Sequence, residues 1–305
     1  MRVAGDIASK VAAKPAAVNV DWRSMAVSRE LLKDALPLVA GEGALESTVI
    51  EVRGRRIGGA YFGLVAGPCT VETREQTIET ARAVADAGAT MLRGGAYKSR
   101  TSPYSFQGLG SEGLAILREA REETGLPIVT ELLDPRHLEE VAETADVIQI
   151  GARNMQNFVL LAEVGRLDKP VLLKRGPAAS VEELLMAAEC VAKEGNERIV
   201  LCERGIRTFE RKTRYTLDLG SVAVLKRETH LPVIVDPSHA AGRRDLVPPL
   251  ARAAAAVGAD GVLIEVHPRP EEALCDGPQQ LAFDAFAEVA AEIAAVARLL
   301  GKQLG

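Results

Sequence analysis

The chain has 305 residues, 47% of them apolar and 26% charged, the balance of a folded globular protein and not of a disordered or fibrous one. Thirty-seven basic and 42 acidic side chains leave a formal charge of -5, which provides no long-range field for nucleic acid or an anionic membrane, so any anion must be held locally. No run approaches the roughly 18 apolar residues of a membrane span, and the N-terminus lacks an apolar segment with a cleavage site, so a cytoplasmic protein is expected.

Residues 1–45 mix Ala, Pro and Lys with weak periodicity and read as a partly ordered arm, too small for a core of its own. The catalytic unit is expected over 46–305. It opens with a small hairpin, in which 49–51 and 59–62 flank RGRR. Apolar runs then follow at 64–66, 90–92, 127–130, 147–150, 171–173, 199–201, 232–235 and 262–266. Each is followed by an Ala/Glu/Arg-rich stretch of helical length, the alternation of a parallel sheet. The first of these stretches, 73–88, is apolar at Ile78, Ala81, Val84 and Ala85 and stops at Gly88, and Gly125, Gly195 and Gly258 give similar stops. Eight repeats of about 30 residues predict an α/β fold, a (β/α)8 TIM barrel, with an open doubly wound sheet as the alternative.

The reactive face of such a barrel lies at the C-terminal ends of its strands. Following the runs there are Cys69, Arg93 with Lys98, Glu131, Arg153, Lys174, Glu203 with Arg204, Asp236 with His239, and Glu265 with His267. Charged residues often begin loops, so each alone reads as a solvated surface charge. Convergence of Arg93, Lys98, Arg100, Arg153, Lys174 and Arg204 in an acidic protein instead calls for a polyanionic ligand. Guanidinium forks suit a small molecule carrying both carboxylate and phosphate. No Walker A loop is present, and GLGSEG at 108–113 is a weak glycine signal. Crowding by guanidinium groups is expected to lower the Lys98 pKa and make it an acid/base candidate.

Cys69, His239, Glu265 and Asp276 offer one thiol, one imidazole and two carboxylates, a set that can hold Mn, Fe, Co or Zn. Against this stand an ordinary buried thiol and unrelated loop carboxylates, with His267 as a competing imidazole; His137 and His230 read as structural. The four cysteines, Cys69, Cys190, Cys202 and Cys275, contain no close CxxC pair, which argues against a disulfide scaffold or zinc ribbon. Cys275 precedes Asp276, so it is a candidate to meet Cys69 as a redox pair.

The segments AGPCTVET, LRGGAYKSRTSPYSFQGLG, IQIGARNMQNF, LLKRG, LCERGIRTFE, VDPSHAAGRRDL and EVHPRPEEALCDGPQQL resemble the type I beta group of 3-deoxy-D-arabino-heptulosonate 7-phosphate (DAHP) synthases, in order, over residues 60 to 300 or so. The resemblance implies condensation of phosphoenolpyruvate with D-erythrose 4-phosphate to DAHP and phosphate, the first step of the shikimate pathway. It implies a divalent metal on Cys69, His239, Glu265 and Asp276, and phosphoenolpyruvate on Arg93, Lys98, Arg153, Lys174 and Arg204. Arg100 and Thr101 would grip the aldose phosphate; Ser99 stands where the group usually has proline. Glu131 or His239 would orient the attacking water, Lys98 would act as acid/base, and Asp236 would support the aldehyde.

The nearest alternative, 3-deoxy-D-manno-octulosonate 8-phosphate synthase, takes arabinose 5-phosphate and typically reads KANRSS where this chain has KSRTSP; a catalytically silent regulatory barrel is a further alternative. A homotetramer is also implied. Many members carry an N-terminal ferredoxin-like domain or a chorismate mutase, for which 1–45 reads as too short, so weak or no feedback inhibition by phenylalanine or tyrosine is expected.

Overall fold

The computed structural model describes residues 33–41, 47–100 and 102–305. Most of the N-terminal arm, and Thr101, lie outside the described residues. In 33–41, Leu36 and Val39 are fully buried. The Glu189 carboxylate accepts the backbone N–H groups of Leu38 and Val39 at 3.2 and 3.0 Å, fastening this piece to the barrel.

The hairpin forms, but in a different register from the one expected. Strand β1 (Ile50–Val52) pairs antiparallel with β2 (Arg55–Ile57), and Arg53 and Gly54 turn between them with φ of 49° and 80°. A two-residue turn with both φ positive matches the twist of its strands. Residues 59–62 are therefore not the hairpin's second strand but lead into the first barrel strand.

That barrel strand, β3 (Tyr61–Gly67), is followed by β4 (Met91–Arg93), β5 (Ile128–Glu131), β6 (Val147–Ile150), β7 (Val171–Lys174), β8 (Ile199–Glu203), β9 (Val233–Val235) and β10 (Gly261–Glu265). Each pairs in parallel with the next, and β10 pairs with β3 from Gly261↔Gly63 to Glu265↔Gly67, so the sheet closes as a TIM barrel. All eight apolar runs are strands. A short strand β11 (Gln303–Leu304), not anticipated, lies parallel against the start of β3. Lys302 beside it reaches Asp260 at 2.6 Å.

The connecting helices are α1 (Arg74–Asp86), α2 (Ser111–Thr124), α3 (Leu138–Thr144), α4 (Phe158–Gly165), α5 (Val181–Lys193), α6 (Leu219–Glu228), α7 (Pro237–Ala241), α8 (Val247–Ala256) and α9 (Phe283–Leu299). Thr73 caps α1 by accepting the Gln76 N–H, and Ser180 with Glu183 closes a reciprocal capping box on α5. The four predicted glycine stops all have φ between 70° and 110°.

Strand alternation separates two apolar layers. Leu64, Leu92, Ile128, Ile148, Leu173, Leu201, Val235 and Ile264 belong to the layer shared with the helices. Val65, Met91, Val129, Val147, Leu172, Val200, Ile234 and Leu263 form a separate interior cluster, joined by Ile50, Val52 and Ile57 of the hairpin. The hairpin thus plugs the N-terminal end of the barrel. Its Arg53 pairs with Asp146, just ahead of β6, at 2.7 Å.

Removing part of this plug should be costly. Ile57→Ala is expected to lower the free energy of unfolding by about 2–5 kcal/mol in a urea titration; a loss below about 0.5 kcal/mol, the scale of a surface substitution, would show that the hairpin carries none of the core.

Candidate active site

In a strand that faces the interior with every second residue, the side chain two positions beyond an apolar inward residue also points inward, one layer nearer the mouth. Met91 is followed in this way by Arg93, Val129 by Glu131, Val147 by Gln149, Leu172 by Lys174, Cys202 by Arg204, Ile234 by Asp236 and Leu263 by Glu265. The layer above the apolar plug is therefore made almost wholly of charged groups.

That layer and the loops above it enclose a cavity of about 460 Å3. Its wall contains all six predicted cations, Arg93, Lys98, Arg100, Arg153, Lys174 and Arg204, together with Arg207 and Arg214, against only two carboxylates, Glu131 and Asp276. Among the described residues, Arg100, Arg153, Arg204 and Arg207 are in ion-pair contact with no carboxylate. Two buried nitrogens, Arg93 Nε and one terminal nitrogen of Arg100, have no hydrogen-bond partner. Unpaired charge and orphaned donors at this depth are costly unless an anion completes them. Arg204 and Arg214 lie over the Tyr215 ring, 4.7 and 5.9 Å from its centre, which shapes this wall without neutralising it.

Glu131 is held by Gln149, whose Nε2 donates to Oε2 at 3.1 Å. Gly151 leaves the space the carboxylate occupies: a Cβ there would lie 2.0 Å from Glu131 Oε1. Gln149, Gly151, Arg207 and Arg214 were all missed by the reading of strand exits. The two-residue inward step past Val147 was the available signal for Gln149; the two arginines sit in the β8–α6 loop, where no periodicity points to a direction.

Behind one wall sit the candidate ligands. His239, Glu265 and Asp276 form one close group, and Cys69, Cys275 and Asp276 form another, with Asp276 common to both. His239 Nε2 is 3.3 Å from Glu265 Oε1 and 4.0 Å from Asp276 Oδ2, and Cys69 Sγ is 3.4 Å from Asp276 Oδ2. Asp276 has a left-handed backbone, φ 51°, a conformation Asp tolerates better than most residues. Asp236 caps α7 through the His239 N–H and holds His239 Nδ1 at 2.7 Å, leaving Nε2 facing the acidic groups. Burial lowers the His239 pKa against the opposing pull of Asp236 and Glu265. Burial raises Glu265 and Asp276, but His239 and Arg93 acting on Glu265, and Lys98, His239 and Arg214 acting on Asp276, more than reverse this and hold both ionised. An imidazole oriented by a carboxylate, two further carboxylates and a thiol fit a borderline transition metal.

Two expectations change. Lys98 faces the donor cluster: its Nζ lies 2.9 Å from Cys69 Sγ and 3.3 Å from Asp276 Oδ2. Burial favours losing the proton, but Cys69, Glu265, Cys275 and Asp276 outweigh it, and the pKa is raised, not lowered. Asp236 is fully buried and does not reach the cavity wall; it pairs with Lys174 at 2.6 Å. Glu203, at another strand exit, points outward and pairs with Arg175 at 2.8 Å.

The remaining histidines lie apart. His267 faces Glu72 at 3.4 Å. His137 stacks on Tyr97, and His230 bonds Thr48 and the Leu38 carbonyl. Cys275 Sγ lies 3.4 Å from Cys69 Sγ, both as free thiols.

This combination of a cationic cavity and a mixed-donor cluster in a TIM barrel can be set against known proteins. A phospho-2-dehydro-3-deoxyheptonate aldolase from Thermotoga maritima is 56% identical over 264 residues, 87% of this chain and 78% of its own. A crystal structure of the Thermotoga maritima enzyme, also titled DAHP synthase, superposes with a TM-score of 0.85 at 55% identity, covering 88% of this chain and 78% of that one. A 2-dehydro-3-deoxyphosphooctonate aldolase from Syntrophotalea carbinolica is 37% identical, over 78% of this chain and 92% of its own. The model of the DAHP synthetase I family matches residues 47–300, and with the cavity and donor set in place at the mouth of the barrel it spans, the chain belongs to that family.

Proposed function

We propose that this chain is a DAHP synthase: it joins C3 of phosphoenolpyruvate to the aldehyde carbon of D-erythrose 4-phosphate, adds water at C2 and releases phosphate, at the entrance to the shikimate pathway. The observation that carries the reading is the cavity in whose wall Arg100, Arg153, Arg204 and Arg207 lack carboxylate partners, directly beside the Cys69/His239/Glu265/Asp276 donor set.

Arg93, Arg153, Lys174 and Arg204 hold the carboxylate and phosphate of phosphoenolpyruvate, with the orphaned Arg93 Nε as one unused donor. Arg100, with Thr101, holds the aldose phosphate. Fixing both substrates by their anionic ends supplies the alignment that a bimolecular carbon–carbon bond formation needs. A divalent ion (Mn, Fe, Co or Zn) on Cys69, His239, Glu265 and Asp276 supplies Lewis acidity toward the aldehyde oxygen.

Lys98, kept as an ammonium by its anionic neighbours, stabilises negative charge that develops on that oxygen and is not a base. Gln149 occupies Glu131 Oε2, so Oε1 accepts a proton from the water that adds to C2, after which the C–O bond to phosphate breaks. Asp236 acts from behind, through Lys174 and His239. Following the family resemblance, the enzyme works in the cytoplasm as a homotetramer; no helix among the described residues is long and apolar enough to cross a membrane.

Phosphate release from phosphoenolpyruvate is expected with erythrose 4-phosphate, to vanish on chelation and to return with Mn, Fe, Co or Zn. Preference for arabinose 5-phosphate would move the chain to the octulosonate reaction named by its 37% identical relative. Full turnover by Cys69→Ala after exhaustive metal stripping would remove the metal from the reading.

Gly151→Ala should displace Glu131 and lower kcat by about 10²-fold, the scale of a 1 Å misplacement, with a smaller effect on the phosphoenolpyruvate KM. Unchanged kcat would take Glu131 out of the water-addition step.

A further inference from the structure

Two cations of the phosphoenolpyruvate wall are each paired with a carboxylate that also touches the imidazole of the candidate metal cluster. Lys174 Nζ and His239 Nδ1 share one atom, Asp236 Oδ2, at 2.6 and 2.7 Å. Arg93 and His239 Nε2 share another, Glu265 Oε1, at 3.0 and 3.3 Å. The run Lys174–Asp236–His239–Glu265–Arg93 is buried throughout: Asp236 and Glu265 have no exposure, and the side chains of Lys174 and Arg93 are each only 4% exposed. Only its two cationic ends and His239 open on the cavity.

An oxygen shared between two donors divides its charge between them. An anion that draws Lys174 toward the cavity leaves more of the Asp236 charge for the His239 N–H, which makes Nε2 the better electron-pair donor. A cation on Nε2 acts in reverse: it strengthens the His239 bond to Asp236 and loosens Lys174 toward an anion. The Glu265 branch has the same sign, since a cation taking the Oε1 charge releases Arg93.

Resting on the reading of the site as a metal-assisted phosphoenolpyruvate enzyme, we propose that Asp236 is a positioning residue that couples the two sites, so that bound metal tightens phosphoenolpyruvate and bound phosphoenolpyruvate tightens the metal. This differs from a role beside the aldehyde, because Asp236 does not line the cavity. It also differs from a purely structural cap, because the cap uses Oδ1, whereas Oδ2 is divided between the His239 ring and a lysine from another strand.

Isothermal titration of Mn2+ into the metal-stripped full chain, with and without saturating phosphoenolpyruvate and without aldose, tests it. Wild-type Mn2+ affinity is expected to rise by at least about 5-fold with phosphoenolpyruvate, and the reverse titration must give the same factor. Asp236→Asn, which keeps the side-chain volume and removes the charge, should bring the factor to within about 2-fold of unity even where both individual affinities fall. A structural role alone would weaken folding or both affinities and leave their ratio unchanged.

Should Asp236→Asn fail to fold, Lys174→Gln, which leaves the Asp236–His239 bond in place, is expected to lower the factor as well. Independent binding in the wild type, or a wild-type factor retained in the variants, overturns the coupling while leaving the proposed function standing. A wild-type chain that binds no Mn2+ or no phosphoenolpyruvate overturns both.

Discussion

The alternation of side chains in a closed parallel barrel is the constraint on which this molecule is built. Inward positions have nowhere else to go, so each strand must decide residue by residue what the interior contains. Here one inward layer is apolar and is sealed by Ile50, Val52 and Ile57 of the hairpin. The next layer, two residues further along each strand, carries Arg93, Glu131, Gln149, Lys174, Asp236 and Glu265. The apolar plug keeps water from one end of that polar layer, so its charges interact through protein more than through solvent.

Taking so many charges from water costs several kcal/mol per ion before pairing. The structure offsets this by giving several of these groups partners: Lys174 with Asp236, Arg93 with Glu265, Lys98 with Asp276. Arg100, Arg153, Arg204 and Arg207 are left without carboxylates. The cations therefore divide into those whose geometry is fixed by internal partners and those that wait for a ligand. Lys98 shows how strongly neighbours decide chemistry: guanidinium groups alone would favour loss of its proton, whereas a carboxylate 3.3 Å away helps to keep it.

The barrel was legible because its eight strands are short, β-branched and separated by helices with glycine stops, all of them local signals. The cationic cavity followed from where strands end. What could not be read were features set by direction or by distant neighbours. The hairpin shifted because Arg53, with φ of 49°, takes a conformation its residue type does not advertise. Asp236 and Glu203 both end strands, yet one turns toward Lys174 and His239 and the other toward Arg175, and only the parity of the strand decides which. The direction of the Lys98 shift depended on Cys69 and Asp276, which come from segments far away in the chain, and Arg207 and Arg214 lie in a loop whose path no repeat specifies.

Closure of the barrel has a consequence for its biosynthesis. Gly261 pairs with Gly63, and Gln303 lies beside Tyr61, so the pairing of the first barrel strand is completed by segments far later in the chain. Until then the nascent chain presents an unpaired apolar edge, the kind of surface that invites association with other chains. Closure of the barrel therefore has to wait until strands separated by about two hundred residues have all been made.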